Sequence, residues 1–216
     1  MIGKARIKVC GITRAADAAT ALSQGADFLG VNCWSGSPRF VPAPARAQLL
    51  REIPAAKRVA VTVNPSVAEA LALIAEGFAV VQAHFDPAKS DCDPEALSAA
   101  VGPSRLWLAP KLADGAEWPA ALIPLAAGFV HDAHAKDAFG GTGKTSDWSR
   151  FSQLRQRYPD SLWLLAGGLG PDNIVAATRS GADFFDLNSG IELAPGLKSA
   201  EKLSAVAEAL LKIAQS

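Results

Sequence analysis

Eight short apolar runs, each followed by a loop and an amphipathic Ala/Leu-rich segment, divide the 216-residue chain from end to end. They occupy residues 5–10, 28–33, 58–63, 79–84, 105–109, 128–132, 162–166 and 184–187. A strand wetted on one face alternates polar with apolar residues. These runs are nearly continuous, as parallel strands covered on both faces require. No linker or shift in composition separates the units, so the pattern predicts one (β/α)8-barrel domain over residues 1–216. An open doubly wound sheet is the alternative that periodicity alone leaves standing.

The helical segments carry readable punctuation. Thr13 is placed to cap a helix over residues 14–24 that Gly25 stops, and Asn64-Pro65-Ser66 opens one that ends at Gly77. Pro171 opens another that Gly181 ends. Pro119 and Pro124 leave room for only a short fifth helix.

Composition removes several classes of function. Lys plus Arg equal Asp plus Glu at 21 each, and the charges are scattered, so nothing attracts nucleic acid or an anionic membrane. No stretch approaches the roughly 18 apolar residues of a membrane span, and residues 1–9 lack the apolar core of a signal peptide. Cys10, Cys33 and Cys92 cannot all pair and show no zinc spacing, so the expectation is a cytoplasmic protein with reduced thiols.

In either α/β architecture the chemistry gathers where strands end. Two loops there are glycine-rich: Gly167-Gly168-Leu169 after strand seven and Asn188-Ser189-Gly190 after strand eight. Backbone N–H groups of such loops can cradle a phosphate, although the same glycines would also serve plain tight turns. Cys10 ends strand one, where it is either a small buried hydrophobe or, as a thiolate, a general base. Asp132 ends strand six, as a cap, a salt-bridge partner or a general acid in a partly desolvated mouth. Gly143-Lys144-Thr145 echoes a nucleotide-binding loop, but that motif needs glycine five positions earlier and Ala138 stands there. A glycine-rich lid containing Gly140, Gly141 and Thr142 is the better expectation. His84, His131 and His134 form no metal motif, and no metal site is expected.

Read in order, these ends resemble the phosphoribosylanthranilate isomerase family of tryptophan biosynthesis. The similarity lies in Lys8-Val9-Cys10-Gly11-Ile12-Thr13, Ser37-Pro38-Arg39-Phe40-Val41, Val63-Asn64-Pro65-Ser66 and Val81-Gln82-Ala83-His84. It continues through Gly140-Gly141-Thr142-Gly143-Lys144-Thr145, Leu165-Ala166-Gly167-Gly168-Leu169 and Asn188-Ser189-Gly190-Ile191-Glu192. The resemblance implies a (β/α)8 barrel and a cofactor-free Amadori rearrangement of N-(5′-phosphoribosyl)anthranilate, acting on a small phosphorylated substrate. It implies Asp132 as the general acid that opens the ribose ring and Cys10 as the general base that takes the C2′ proton. It further implies Arg39 near the anthranilate carboxylate, His84 lining the pocket, and the phosphate on Gly167, Gly168 and the Asn188-Ser189-Gly190 turn.

Departures from the family pattern fall mainly where the aromatic ring should sit. Phe85-Asp86 follows His84 in place of glycine, Asn32-Cys33-Trp34-Ser35-Gly36 replaces an aromatic-rich loop with lysine, and Ala133-His134 follows Asp132. Asn188 stands at a position that is usually serine. The alternatives are a paralogous isomerase of another phosphorylated sugar amine and a non-catalytic phosphate-ligand barrel. A monomer or a homodimer is the expected assembly.

Overall fold

The computed structural model of the chain describes residues 2–89, 91–113, 116–132 and 148–215. Eight parallel strands close into a barrel in the order β1 to β8. They are β1 (Arg6–Val9), β2 (Phe28–Asn32), β3 (Arg58–Val63), β4 (Val80–Phe85), β5 (Leu106–Pro110), β6 (Gly128–His131), β7 (Leu162–Leu165) and β8 (Phe184–Leu187). Closure is made by β1 against β8, with Lys8 opposite Asp186 and Val9 opposite Leu187. Every barrel strand thus has two neighbours, and the barrel itself leaves no edge to pair with another chain.

Strand alternation sorts the side chains into two cores. Ile7, Val9, Leu29, Val31, Val81, Ala83, Phe129 and Phe185 point outward, where helices cover them. Val59, Val61, Val80, Trp107, Val130, Leu164 and Phe184 point inward and fill the barrel. At its N-terminal end Trp107 meets Phe28 edge-on at 5.0 Å and Phe184 at 5.8 Å, and the Arg6 guanidinium lies 4.8 Å above the Phe184 ring. This aromatic floor leaves the opposite end as the place where polar side chains can enter.

The helices are α1 (Ala15–Ser23), α2 (Ala43–Leu49), α3 (Val67–Ala75), α4 (Pro94–Val101), α5 (Trp148–Arg157), α6 (Ile174–Thr178) and α7 (Ala200–Gln215). Ser66 opens α3 with a full capping box, its Oγ accepting from the Glu69 N–H while the Glu69 carboxylate accepts from the Ser66 N–H. Between β5 and β6, among the described residues, the two prolines leave only a 3₁₀ segment, Ala120–Leu125.

Two expected helix starts differ. Thr13 does not cap α1: its Oγ donates to the Gly196 carbonyl at 2.6 Å, and Arg14 holds the cap position without a side-chain cap bond. Pro171 does not begin α6, which starts at Ile174 after Asn173. The Asn173 side chain is committed to the loop after β7, donating to the Gly168 carbonyl and accepting from the Gly170 N–H. In both places a loop at the barrel mouth claims the side chain that the helix would have used. Among the described residues no helix is long and apolar enough to cross a membrane.

Candidate active site

Cys10, Arg39, His84, Asp132, the loop Gly167-Gly168 and the turn Asn188-Ser189-Gly190 all lie at the carboxyl end of the barrel. Lys8 and Cys10 project inward from β1 and the residue after it, Gly30 from β2, Gln82 and His84 from β4, and Asp186 from β8. On β6, Val130 fills the interior and His131 faces outward, its ring 6.0 Å from that of Phe151 in α5. Asp132 therefore follows on the inward side, half-buried at the mouth. The expected lid residues Gly140, Gly141 and Thr142 lie outside the described residues.

Four buried polar atoms have no hydrogen-bond partner among the described residues and belong to the barrel interior or its mouth loops: Gln82 Oε1, Asp186 Oδ1, Asn64 Oδ1 and Ser189 Oγ. Folded chains rarely tolerate such atoms, and where they do a function usually accounts for them. Gln82 Nε2 and His84 Nε2 lie 2.8 Å apart on the inner face of β4. Desolvation, reinforced by the Lys8 charge, pushes the His84 imidazole down to about 3, so the ring is neutral across the physiological range. It can donate or accept a hydrogen bond but carries no charge.

Three cations surround the strand-one end. Lys8 is fully buried and pairs with Asp186 Oδ2 at 2.7 Å. Arg39 binds Glu192 through Nε at 2.9 Å and Nη2 at 2.6 Å, and Lys198 Nζ reaches the same carboxylate at 2.7 Å and Asn188 Oδ1 at 2.9 Å. Glu192 and Lys198 come from a short antiparallel hairpin after β8, β9 (Glu192–Ala194) and β10 (Leu197–Lys198), which packs over the mouth beside Thr13. Burial would raise the Glu192 carboxyl, but the Arg39 hydrogen bonds, Lys198 and the Gly196 N–H more than offset this and hold it below the usual carboxylate range. Burial pushes the Cys10 thiol above its ordinary value, with the Lys8 and Lys198 charges pulling it back and Asp186 opposing them. Cys33 is half-buried on the helix side near Arg46 and Glu76, and burial pushes it up to about 12.

The loops after β7 and β8 meet backbone to backbone. A Cβ on Gly190 would stand 2.1 Å from the Leu169 carbonyl oxygen and 3.0 Å from that of Gly168, so no larger residue fits without parting the loops. Ser189–Ile191 forms a single 3₁₀ turn, whose first N–H groups are the kind that bind anions. Gly190→Ala is expected to cost about 1–3 kcal/mol of stability and to raise KM more than it lowers kcat. Thermal melts beside steady-state kinetics check this, and an unchanged KM would remove these loops from the ligand site.

Lys8, Asp186, Glu192 and Lys198 were not assigned roles from the sequence. A signal was present for the first two, since each is a charge flanked by apolar residues within its strand, Ile7 and Val9 for Lys8 and Phe185 and Leu187 for Asp186. Closing the barrel makes β1 and β8 neighbours and sets the two opposite each other.

A closed parallel barrel with its polar and glycine-rich groups at the strand carboxyl ends defines the (β/α)8 enzyme-barrel class. Within it, the family model for N-(5′-phosphoribosyl)anthranilate isomerase matches residues 7–209. The chain belongs to the phosphoribosylanthranilate isomerase family. It is 35% identical to the N-(5′-phosphoribosyl)anthranilate isomerase of Bordetella avium over 97% of each chain. It is 36% identical to that of Magnetococcus marinus over 92% of this chain and 91% of the relative. The crystal structure of the Thermus thermophilus phosphoribosyl anthranilate isomerase superposes with a TM-score of 0.79 at 28% identity, covering 96% of this chain and 99% of the other.

Proposed function

We propose that this chain isomerises N-(5′-phosphoribosyl)anthranilate to 1-(2-carboxyphenylamino)-1-deoxyribulose 5-phosphate, a step of tryptophan biosynthesis. The observation that carries the reading is the family match over residues 7–209, on a barrel that keeps a thiol and a carboxyl at its mouth.

The chemistry follows from those two groups. Asp132 gives its proton to the ribose ring oxygen as the C1′–O bond breaks, and the anilino nitrogen lone pair forms the iminium. The Cys10 thiolate then removes the C2′ proton, and the electrons of that C–H bond neutralise the iminium to give an enolamine. Reprotonation at C1′ and loss of the C2′ hydroxyl proton yield the ketone. An acid and a carbon-acid base suffice for this sequence. The two groups must differ in protonation in the complex, the carboxyl holding its proton while the thiol has lost one.

Arg39 spends Nε and Nη2 on Glu192, and its Nη1 has no hydrogen bond among the described residues. That nitrogen is the group for the substrate carboxylate. Neutral His84 lines the pocket, and the phosphate lies on Gly167, Gly168 and the Asn188-Ser189-Gly190 turn. The enzyme works in the cytoplasm, as a monomer or homodimer, on this small molecule alone. Expression in a bacterial strain that lacks its own isomerase should restore growth without tryptophan. Failure of a well-expressed, soluble chain to do so would contradict the assignment.

A further inference from the structure

The buried pair beneath Cys10 is costly unless it does something. Lys8 is 0% exposed, and among the described residues its oxygen partner is one carboxylate oxygen, Asp186 Oδ2. An ammonium has three protons to place, and a buried ion pair is often no more stable than apolar residues of the same volume. The other Asp186 oxygen is buried and has no partner among the described residues. Strand alternation aims Lys8 and Cys10 the same way, one layer apart. The layer is kept thin by Gly30 on β2, where a Cβ would stand 3.1 Å from both the Cys10 sulfur and the Lys8 Cε. The ammonium thus has the Asp186 carboxylate as one partner and the Cys10 thiol as another near neighbour.

We propose that Lys8, anchored by Asp186, is the positioning residue that holds the Cys10 sulfur as an anion, donating a hydrogen bond to it from within the barrel. Lys8 itself never meets the substrate. The proposal rests on Cys10 being the base of the reaction. The other charged groups around the sulfur are Lys198 and Glu192 from the hairpin and Arg39 from the loop after β2, with neutral His84 on β4 and Asp132 across the mouth. Glu192 already partners both Arg39 and Lys198. The Asp186 charge disfavours the thiolate and the Lys8 charge favours it, and burial raises the thiol against both cations. Removing Lys8 alone would leave the carboxylate facing the sulfur with no counter-charge, so the pair must be tested together as well as singly.

The test is the rate of Cys10 alkylation by iodoacetamide against pH, read peptide by peptide by mass spectrometry. It is run on wild type, Lys8→Met and Lys8→Met/Asp186→Asn, the last carrying no charge in the layer. Both variants should alkylate Cys10 with a higher pH midpoint, about tenfold slower at a given pH on the rising limb, and the acid limb of kcat/KM should move to higher pH with it. Alkylation of Cys33 and Cys92 should not change. A folded double variant with the wild-type midpoint would overturn the proposal, and so would loss of the fold in both variants, which would make the pair purely structural. Cys10→Ala with normal turnover would instead remove the base assignment, while the alkylation comparison would still report the coupling of Lys8 to the sulfur. An inactive Cys10→Ala beside unchanged midpoints would remove Lys8 alone.

Discussion

Asp132→Asn and Cys10→Ala should each lower kcat/KM by about 100- to 10,000-fold with little change in thermal stability, the range by which positioned acids and bases accelerate proton transfer. Asparagine keeps the shape and the hydrogen-bonding capacity of the carboxyl but has no proton acidic enough for the ring oxygen. Alanine removes the sulfur of a residue that is 7% exposed at the end of β1 and leaves a space of one atom there. The two losses should not add, because ring opening and C2′ deprotonation are consecutive steps on one intermediate. The pH profile separates them. Burial raises the Cys10 thiol, and a base acts only when deprotonated, so wild-type kcat/KM should keep rising with pH up to and beyond the ordinary thiol range. Steady-state kinetics on the three proteins decide the matter, and either variant within a few-fold of wild type would refute its assigned role.

Glu192→Gln should be the most destabilising of the conservative changes at the mouth, by about 3–5 kcal/mol, because it strips the counter-charge from two buried cations at once. Arg39 and Lys198 are respectively 10% and 2% exposed at their side chains, and both end on this carboxylate. Without it they repel each other. The carboxyl is held below its unfolded value, so its contribution is present above that value, near pH 4.5, and fades as acid takes the solution through the lower folded one. The stability gap between wild type and variant should therefore be constant near neutrality and close in acid. Urea unfolding at several pH values measures it. A gap under about 1 kcal/mol would show that the carboxylate is no more than a surface-grade partner. The freed Arg39 should also swing out of register and raise KM.

The strands were legible because burial on both faces writes a continuous apolar run, and each run expected from the sequence coincides with a barrel strand to within one residue at either end. Helix starts were less so. Thr13 looks like a cap until its true acceptor, the carbonyl of Gly196, comes into view, and that residue is 183 positions away. The Asn173 side chain similarly serves loop seven rather than α6. At the mouth, the inward placement of Cys10 and Asp132 could be read from position, since each comes one residue after an outward-facing strand end. The electrostatic frame could not. The Glu192–Lys198 hairpin is too short to leave a period-two signature, and Lys8 and Asp186 become a pair only once the barrel is closed.

The most direct test of the account is turnover by the purified chain. Phosphoribosylanthranilate generated in situ is followed by its fluorescence, and the product by mass. Rapid loss of the signal without added metal or cofactor, with formation of the carboxyphenylamino-deoxyribulose phosphate, is the predicted result. A folded protein that binds phosphate yet leaves this substrate unchanged would contradict the assignment and leave a barrel whose acid and base act on some other sugar amine.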